Sequence, residues 1–272
     1  MKILIPILGA ALFCLQCSLT PLNPDTAEES DFKKAENLYT LNQFDSAAVL
    51  LEDFINRYPQ SFKVDNAQLM LGKSYRAIGE YQKAVAILRT IKSESPHYEE
   101  GLLETGYCMQ DDHRYYSIDS AILVFKFLLS QTDQGTWAAE GYYEIGQGFY
   151  KRATSDTALQ KSDYDSALNY FVEIRNRFKA TSRYPDALYR MAWSYYQKDD
   201  FVKAAQSFSQ FILENPVSPD VDAAQYWFAQ SLKYSGDCSG ARAAYQKLID
   251  QYPQSENVQD AYREKNQLPP CP

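Results

Sequence analysis

The sequence predicts an all-α solenoid of six stacked helical hairpins followed by a capping helix. Three observations predict it. A Phe/Tyr-x-x-Ala step recurs at a nearly fixed interval, apolar residues follow each alanine at helical offsets, and proline closes four of the six units. Self-similarity of this kind marks repeat architectures, in which each unit buries its apolar face only by stacking on its neighbours.

The step alanines are Ala47, Ala84, Ala121, Ala167, Ala204 and Ala241, separated by 37, 37, 46, 37 and 37 residues. Three residues before them stand Phe44, Tyr81, Ile118, Tyr164, Phe201 and Cys238. Four residues after stand Leu51, Leu88, Phe125, Phe171, Phe208 and Tyr245; seven after stand Phe54, Ile91, Leu128, Ile174, Phe211 and Leu248. Offsets of four and seven place these side chains on one face of a helix. Pro59, Pro96, Pro216 and Pro253 end that helix twelve residues after the alanine.

The partner helix lies upstream. Leu71-Gly72-x-x-Tyr75 precedes Ala84, Met191-Ala192-x-x-Tyr195 precedes Ala204, and Ala35 and Ala229 hold the same small-residue slot in the first and last units. Gly79-Glu80, Asp199-Asp200 and Gly236-Asp237 supply the turns. Two units depart from this plan. In the third, Gly106 is followed by a long polar stretch to Tyr116, so either the turn is long or the first helix slides. In the fourth, an insertion at about residues 151–163 accounts for the interval of 46. The repeats are expected over residues 31–253, with a polar capping helix and tail over 254–272.

Residues 1–16 are expected to be an export signal rather than part of the fold. A basic start is followed by an apolar run from Ile3 to Leu15, too short to span a bilayer. Residues 17–30, with two prolines and rising negative charge, are expected to be a tether. A cysteine at the end of such a signal resembles a bacterial lipoprotein anchor. Cys17 is the expected lipidation site, with lipidation at Cys14, ordinary cleavage or an uncleaved anchor as the alternatives. Cys238 and Cys271 either pair in an oxidising compartment or leave Cys238 as a buried thiol.

The pattern Leu-Gly-x-x-Tyr, then Ala-x-x-x-Phe, then Pro resembles the tetratricopeptide repeat, with three extra residues per unit. The resemblance implies a right-handed superhelix with each first helix lining the concave face. The Tyr-Pro-x-Ser endings, as in Tyr58-Pro59-Gln60-Ser61, are similar to two envelope families. Residues 42–98 resemble the early repeats of the outer-membrane assembly lipoprotein BamD, and residues 186–267 resemble the YbgF-type protein of the Tol–Pal system.

Chemistry has little to build on. A net charge of −8 argues against nucleic acid as a partner. The two histidines, His97 and His113, have no matched nucleophile or carboxylate at a catalytic spacing, and no Gly-rich phosphate loop is present. Asp111-Asp112 and Asp199-Asp200 read as solvated turn residues. No cofactor and no metal are expected, and the chain is expected not to be an enzyme. The better candidate is a peptide-binding groove carried by the first helices: Tyr143, Gln147 and Tyr150, then Tyr189, Trp193 and Tyr196, then Tyr226, Gln230 and Lys233. For the aromatics, groove and core are both open readings. The first hairpins offer Phe32, Glu36, Leu69, Lys73 and Arg76 in the same slots. The expected function is a protein–protein interaction scaffold of the bacterial cell envelope, engaging extended or helical segments of other envelope proteins. It would act in outer-membrane protein assembly or envelope maintenance, held on the periplasmic side of the outer membrane by lipid on Cys17 or soluble in the periplasm. The alternatives are an accessory subunit of a cell-wall enzyme and a purely structural repeat protein.

Overall fold

The computed structural model describes residues 24–155 and 160–269. Every element among the described residues is helical, and the helices pair in sequence order. The hairpins are α1 (Pro24–Thr40) with α2 (Phe44–Arg57), α3 (Val64–Ala77) with α4 (Tyr81–Leu88), and α5 (Tyr98–Asp111) with α6 (Ile118–Gln131). They continue with α7 (Gly135–Ser155) and α8 (Gln160–Arg177), α9 (Arg183–Gln197) and α10 (Phe201–Glu214), and α11 (Val221–Tyr234) and α12 (Cys238–Gln251). A thirteenth helix, α13 (Val258–Gln267), packs on α12. Export signal, Cys17 and Cys271 lie outside the described residues. Residues 24–30, expected in the tether, form the start of α1 instead; the side chains of Glu28 and Glu29 reach Ser61 and Lys63 and tie this turn to the loop after α2.

The alanine register is the core register. All six step alanines are fully buried, and Leu51, Phe125, Phe171, Phe208 and Tyr245 at the fourth position are equally inaccessible. The small slots show why bulk is excluded from the first helix. A Cβ on Gly72 would sit 2.4 Å from Leu88, on Gly106 2.2 Å from Phe125, and on Gly146 2.6 Å from Phe171. These glycines therefore allow the fourth-position side chain of the second helix to lie against first-helix backbone.

The irregular units now have physical explanations. In the third, α5 keeps its register and the turn is long: residues 112–117 lead into α6, where Ser117 caps the helix by accepting from Ser120 N. In the fourth, the inserted residues lengthen both helices, to 21 residues in α7 and 18 in α8. Arg152 near the end of α7 donates from Nε and Nη2 to the two carboxylate oxygens of Asp163 in α8, at 2.7 and 2.6 Å. The tight turns of hairpins one, two, five and six all use a left-handed residue: Asn42, Gly79, Asp199 and Gly236, with φ of 58°, 82°, 60° and 89°. Only Gly, and at lower frequency Asn and Asp, adopt that conformation readily.

Candidate protein-binding groove

First helices of successive hairpins touch along the chain, α1 to α3, α3 to α5, α5 to α7 and α7 to α9, whereas no comparable backbone contact joins successive second helices. The row of first helices is therefore the inner side of the curve. It carries a polar ladder. Lys73 pairs with Glu100 and lies 3.9 Å from Glu104, while Arg76 donates to Glu104 at 3.1 Å and to Asp111 at 2.9 Å. Tyr39, Phe44, Lys73, Arg76, Glu104 and Asp111 line a cleft of about 400 Å³ there. Farther along, Gln110 donates to Glu144 at 3.1 Å, and Arg183 donates to Glu140 at 2.7 Å and lies 3.6 Å from Glu144. Burial pushes the Glu144 carboxyl above its ordinary value, against the Gln110 hydrogen bond and the Arg183 charge.

The nine candidates fall into two groups. Tyr143, Tyr226 and Gln230 are buried. The Tyr143 ring lies beside Phe171, with the Arg183 guanidinium 4.4 Å from its centroid. Tyr226 contacts Tyr245 and Trp227 and accepts a 2.7 Å hydrogen bond from Gln230 Nε2, so these two side chains serve each other. The other six are half-buried. Lys233 pairs with Glu264 of α13 at 2.6 Å. The Gln147 Oε1 atom is buried without a hydrogen-bond partner among the described residues. Tyr150 meets Tyr164 edge-on at 5.4 Å, with Arg190 5.5 Å from its centroid. Tyr189 rests on Phe211 at 5.2 Å and Phe208 at 5.9 Å. Trp193 meets Trp227 in a tilted arrangement with centroids 4.4 Å apart, and Tyr196 meets Trp227 at 5.2 Å and Phe201 at 5.3 Å. Burial pushes the Tyr196 hydroxyl up to about 12.

In the first hairpins, Phe32 and Leu69 are core rather than groove; the Phe32 ring packs on Phe54 at 5.3 Å. Sequence reasoning did not single out Trp227, Arg183, Arg190 or Glu144 as members of this face. Hairpins five and six meet chiefly through α10 and α11; Trp227 carries the side-chain contact between α9 and α11, whose backbones do not approach as their predecessors do. Among the described residues no cluster of His, Cys, Asp and Glu is arranged to hold a metal, and no helix is long and apolar enough to cross a membrane.

Stacked antiparallel hairpins whose first helices line one face define a tetratricopeptide-type helical-repeat protein. Residues 29–61 and 66–98 match the tetratricopeptide repeat profile. Residues 146–266 match that of the outer membrane lipoprotein family YfiO. The chain is 25% identical over 137 residues to the outer membrane protein assembly factor BamD of Pasteurella multocida, a match covering 44% of this chain and 49% of that protein. It thus spans about half the length of that relative. Among solved structures, the C-terminal part of a TPR repeat-containing protein from Cytophaga hutchinsonii superposes with a TM-score of 0.63 at 19% identity, covering 86% of this chain and 84% of that one. A tetratricopeptide repeat protein from Parabacteroides merdae gives 0.59 at 14% identity, covering 89% and 93%. These structural likenesses establish the fold alone.

Proposed function

We propose that this chain is a non-enzymatic scaffold of the bacterial cell envelope that holds extended or helical segments of other envelope proteins along its inner face. The observation that carries the proposal is the run of half-buried rings on neighbouring first helices, Tyr150, Tyr189, Trp193 and Tyr196. Each ring is fixed by packing on one side and keeps part of its surface free. Rigid aromatics of this kind supply contact area at low entropic cost. A role in outer-membrane protein assembly is supported by the family match over residues 146–266 and by the likeness to BamD. Anchoring by lipid on Cys17 belongs to the same proposal.

The test combines affinity capture from envelope extract with thermal melting, for Tyr150→Ala and Tyr189→Ala beside the wild type. A variant that melts near the wild type and loses a captured protein supports the groove. Variants that melt normally and capture the same proteins overturn it. For the anchor, Cys17→Ser releases the protein from membranes; a variant that stays membrane-bound rejects lipidation there.

A further inference from the structure

Along the inner face, half-buried cations are matched by acids of a neighbouring helix. Lys73 and Arg76 meet Glu100, Glu104 and Asp111 of α5, Arg183 meets Glu140 and Glu144 of α7, and Lys233 meets Glu264 of α13. Arg190 of α9 departs from this rule. It is half-buried, and no carboxylate among the described residues lies within 4 Å of it.

The register explains why. Arg183 follows Glu140 by 43 residues and donates to it; Arg190 follows Gln147 by the same 43, so a neutral amide stands where the neighbouring rung has an acid. Asp186, one turn before Arg190 on α9, is held by Arg183 at 3.2 Å. The Arg190 guanidinium lies 5.5 Å from the centroid of the Tyr150 ring. It also lies beside the Tyr143 hydroxyl, where burial raises the pKa and Arg190 opposes the rise. Gln147 is one helical turn from each of these tyrosines, and its buried Oε1 accepts from no donor among the described residues. Lys151, one turn past Gln147, is exposed and likewise has no described carboxylate within 4 Å. A cation without a counter-ion and an acceptor without a donor therefore face each other between α7 and α9. A guanidinium that has lost part of its hydration without gaining a counter-ion is costly. A carboxylate supplied from outside meets it through two parallel N–H···O bonds. An extended chain also carries backbone N–H groups, the donors that Gln147 can accept from.

Given the scaffold reading above, we propose that the segment held on the inner face is acidic: an Asp or Glu side chain of that segment accepts from Arg190, and a backbone N–H beside it donates to Gln147 Oε1. The rings that carry the scaffold reading flank the guanidinium, Tyr150 on α7 and Tyr189 and Trp193 on α9. A segment that touches both helices continues past Arg190, so the carboxylate is a side chain and not a chain end. The charge fixes the position and direction of the segment, and the rings supply its contact area.

The test selects binders to the purified protein from a display library of random short peptides. Selected sequences should share an Asp or Glu beside apolar or aromatic residues. In a synthetic copy with both ends blocked, changing that acid to its amide should weaken binding by about tenfold to a hundredfold, the range for a hydrogen bond to a charged group. Arg190→Gln should weaken the original peptide as much. The two changes together should cost little more than either alone, because they remove one interaction. Arg190→Gln breaks no ion pair within the described residues and should melt within a few degrees of wild type. If it unfolds, Arg190→Lys keeps the charge without the planar fork, and its smaller loss of binding should vanish with the amide peptide. Binders that share no acid, an acid whose removal adds in full to the Arg190 change, or binding that needs a free terminal carboxylate overturns the acidic-segment proposal and leaves the scaffold reading standing. A library that yields no binder overturns both.

Discussion

Replacing Gly106 by alanine adds one methyl group to the tightest helix–helix approach among the described glycines. The new Cβ would stand 2.2, 2.4 and 2.8 Å from three carbons of the Phe125 ring, where carbon atoms normally rest at about 3.5–4 Å. Phe125 is fully buried, so its ring must move by about 1 Å or more into an occupied core. Overpacking of this kind costs about 1–3 kcal/mol, and an approach of 2.2 Å to a fully buried ring belongs in the upper half of that range, about 2–3 kcal/mol. Alanine is better than glycine in a helix interior by about 1 kcal/mol, which offsets part of it. The net expectation is a loss of about 1–2 kcal/mol, or about 2–8 °C in melting temperature for a domain of this size. A second substitution isolates the cause. Phe125→Leu should be costly alone but less so beside Gly106→Ala, with a favourable coupling of at least about 0.5 kcal/mol in urea melts. A neutral or stabilising Gly106→Ala, or additive effects in the pair, would refute the packing argument.

Turn glycines should behave differently. Gly79 and Gly236 have nothing within 4 Å of an added Cβ but hold φ of 82° and 89°, so alanine at either should cost about 1–2 kcal/mol through backbone strain, while Asp199→Gly should be neutral or stabilising; urea midpoints check all three. Trp193→Ala should lower stability by about 2 kcal/mol through loss of the 4.4 Å indole contact between α9 and α11, read as an earlier thermal melt. Stability should depend on pH in two opposed ways. Tyr184 donates a hydrogen bond that holds Glu214 below its ordinary value, and at Asp31 the Tyr58 and Lys34 hydrogen bonds and the Arg57 charge outweigh the opposing effect of burial. Both stabilise fully above the unfolded carboxylate range of about 4, and the benefit is lost as pH falls through their depressed values. Glu144 is raised, so its unfavourable ionisation is relieved as pH falls toward that range. Melting temperature should therefore rise slightly from neutrality into weak acid and fall below about pH 4, and Glu144→Gln should abolish the rise; a wild type that only declines on acidification, as the variant does, contradicts the assignment.

Much of the fold is written in single residues. The six alanines and the residues four after them follow a 37-residue period broken once, by the interval of 46, and each first helix offers a small slot to its own second helix. The reason is steric: a side chain in those slots has no space to enter, so the pattern survives at every unit. The third and fourth units were harder to read because only spacing was visible. A six-residue turn and a sliding helix give the same interval, as do an inserted loop and two lengthened helices; the Arg152–Asp163 pair that decides the second case joins a half-buried arginine to a buried aspartate that nothing in the spacing marks. Groove membership was less legible still. Exposure of a ring on a first helix depends on the residue facing it from the next hairpin, which lies more than thirty positions away.

That dependence follows a register. Small slots Gly72 and Gly106 are 34 residues apart, Gly146 and Ala192 are 46 apart, and Ala192 and Ala229 are 37 apart. Lys73 meets Glu104, Glu140 meets Arg183, and Trp193 meets Trp227, pairs separated by 31, 43 and 34 residues. These three contacts each fall three residues, one helical turn, short of the slot interval, while the long side chains of Lys73 and Arg76 also reach Glu100 and Asp111 outside that register. Trp193 is thereby covered by the bulky Trp227. Three short of the interval from Tyr189 is Ala223, which is small and half-exposed and lies one turn before Tyr226 on the stripe of α11 that continues to Gln230 and Lys233. Tyr189 accordingly makes its ring contacts with Trp193 and with Phe208 and Phe211 of its own hairpin, and none of them with α11. Of the candidate rings it is the one whose face toward the next hairpin is opposed by the least bulk. Ala223→Arg fills that space without removing any core atom. It should leave the melting temperature within about 2 °C of wild type, since surface changes shift stability by no more than about 0.5 kcal/mol. Capture of the partner should nonetheless fall by tenfold or more, the size expected when about 1.4 kcal/mol of contact is blocked. Unchanged capture by a normally melting Ala223→Arg protein would remove Tyr189 from the binding face and move the search to the polar ladder of α3 and α5.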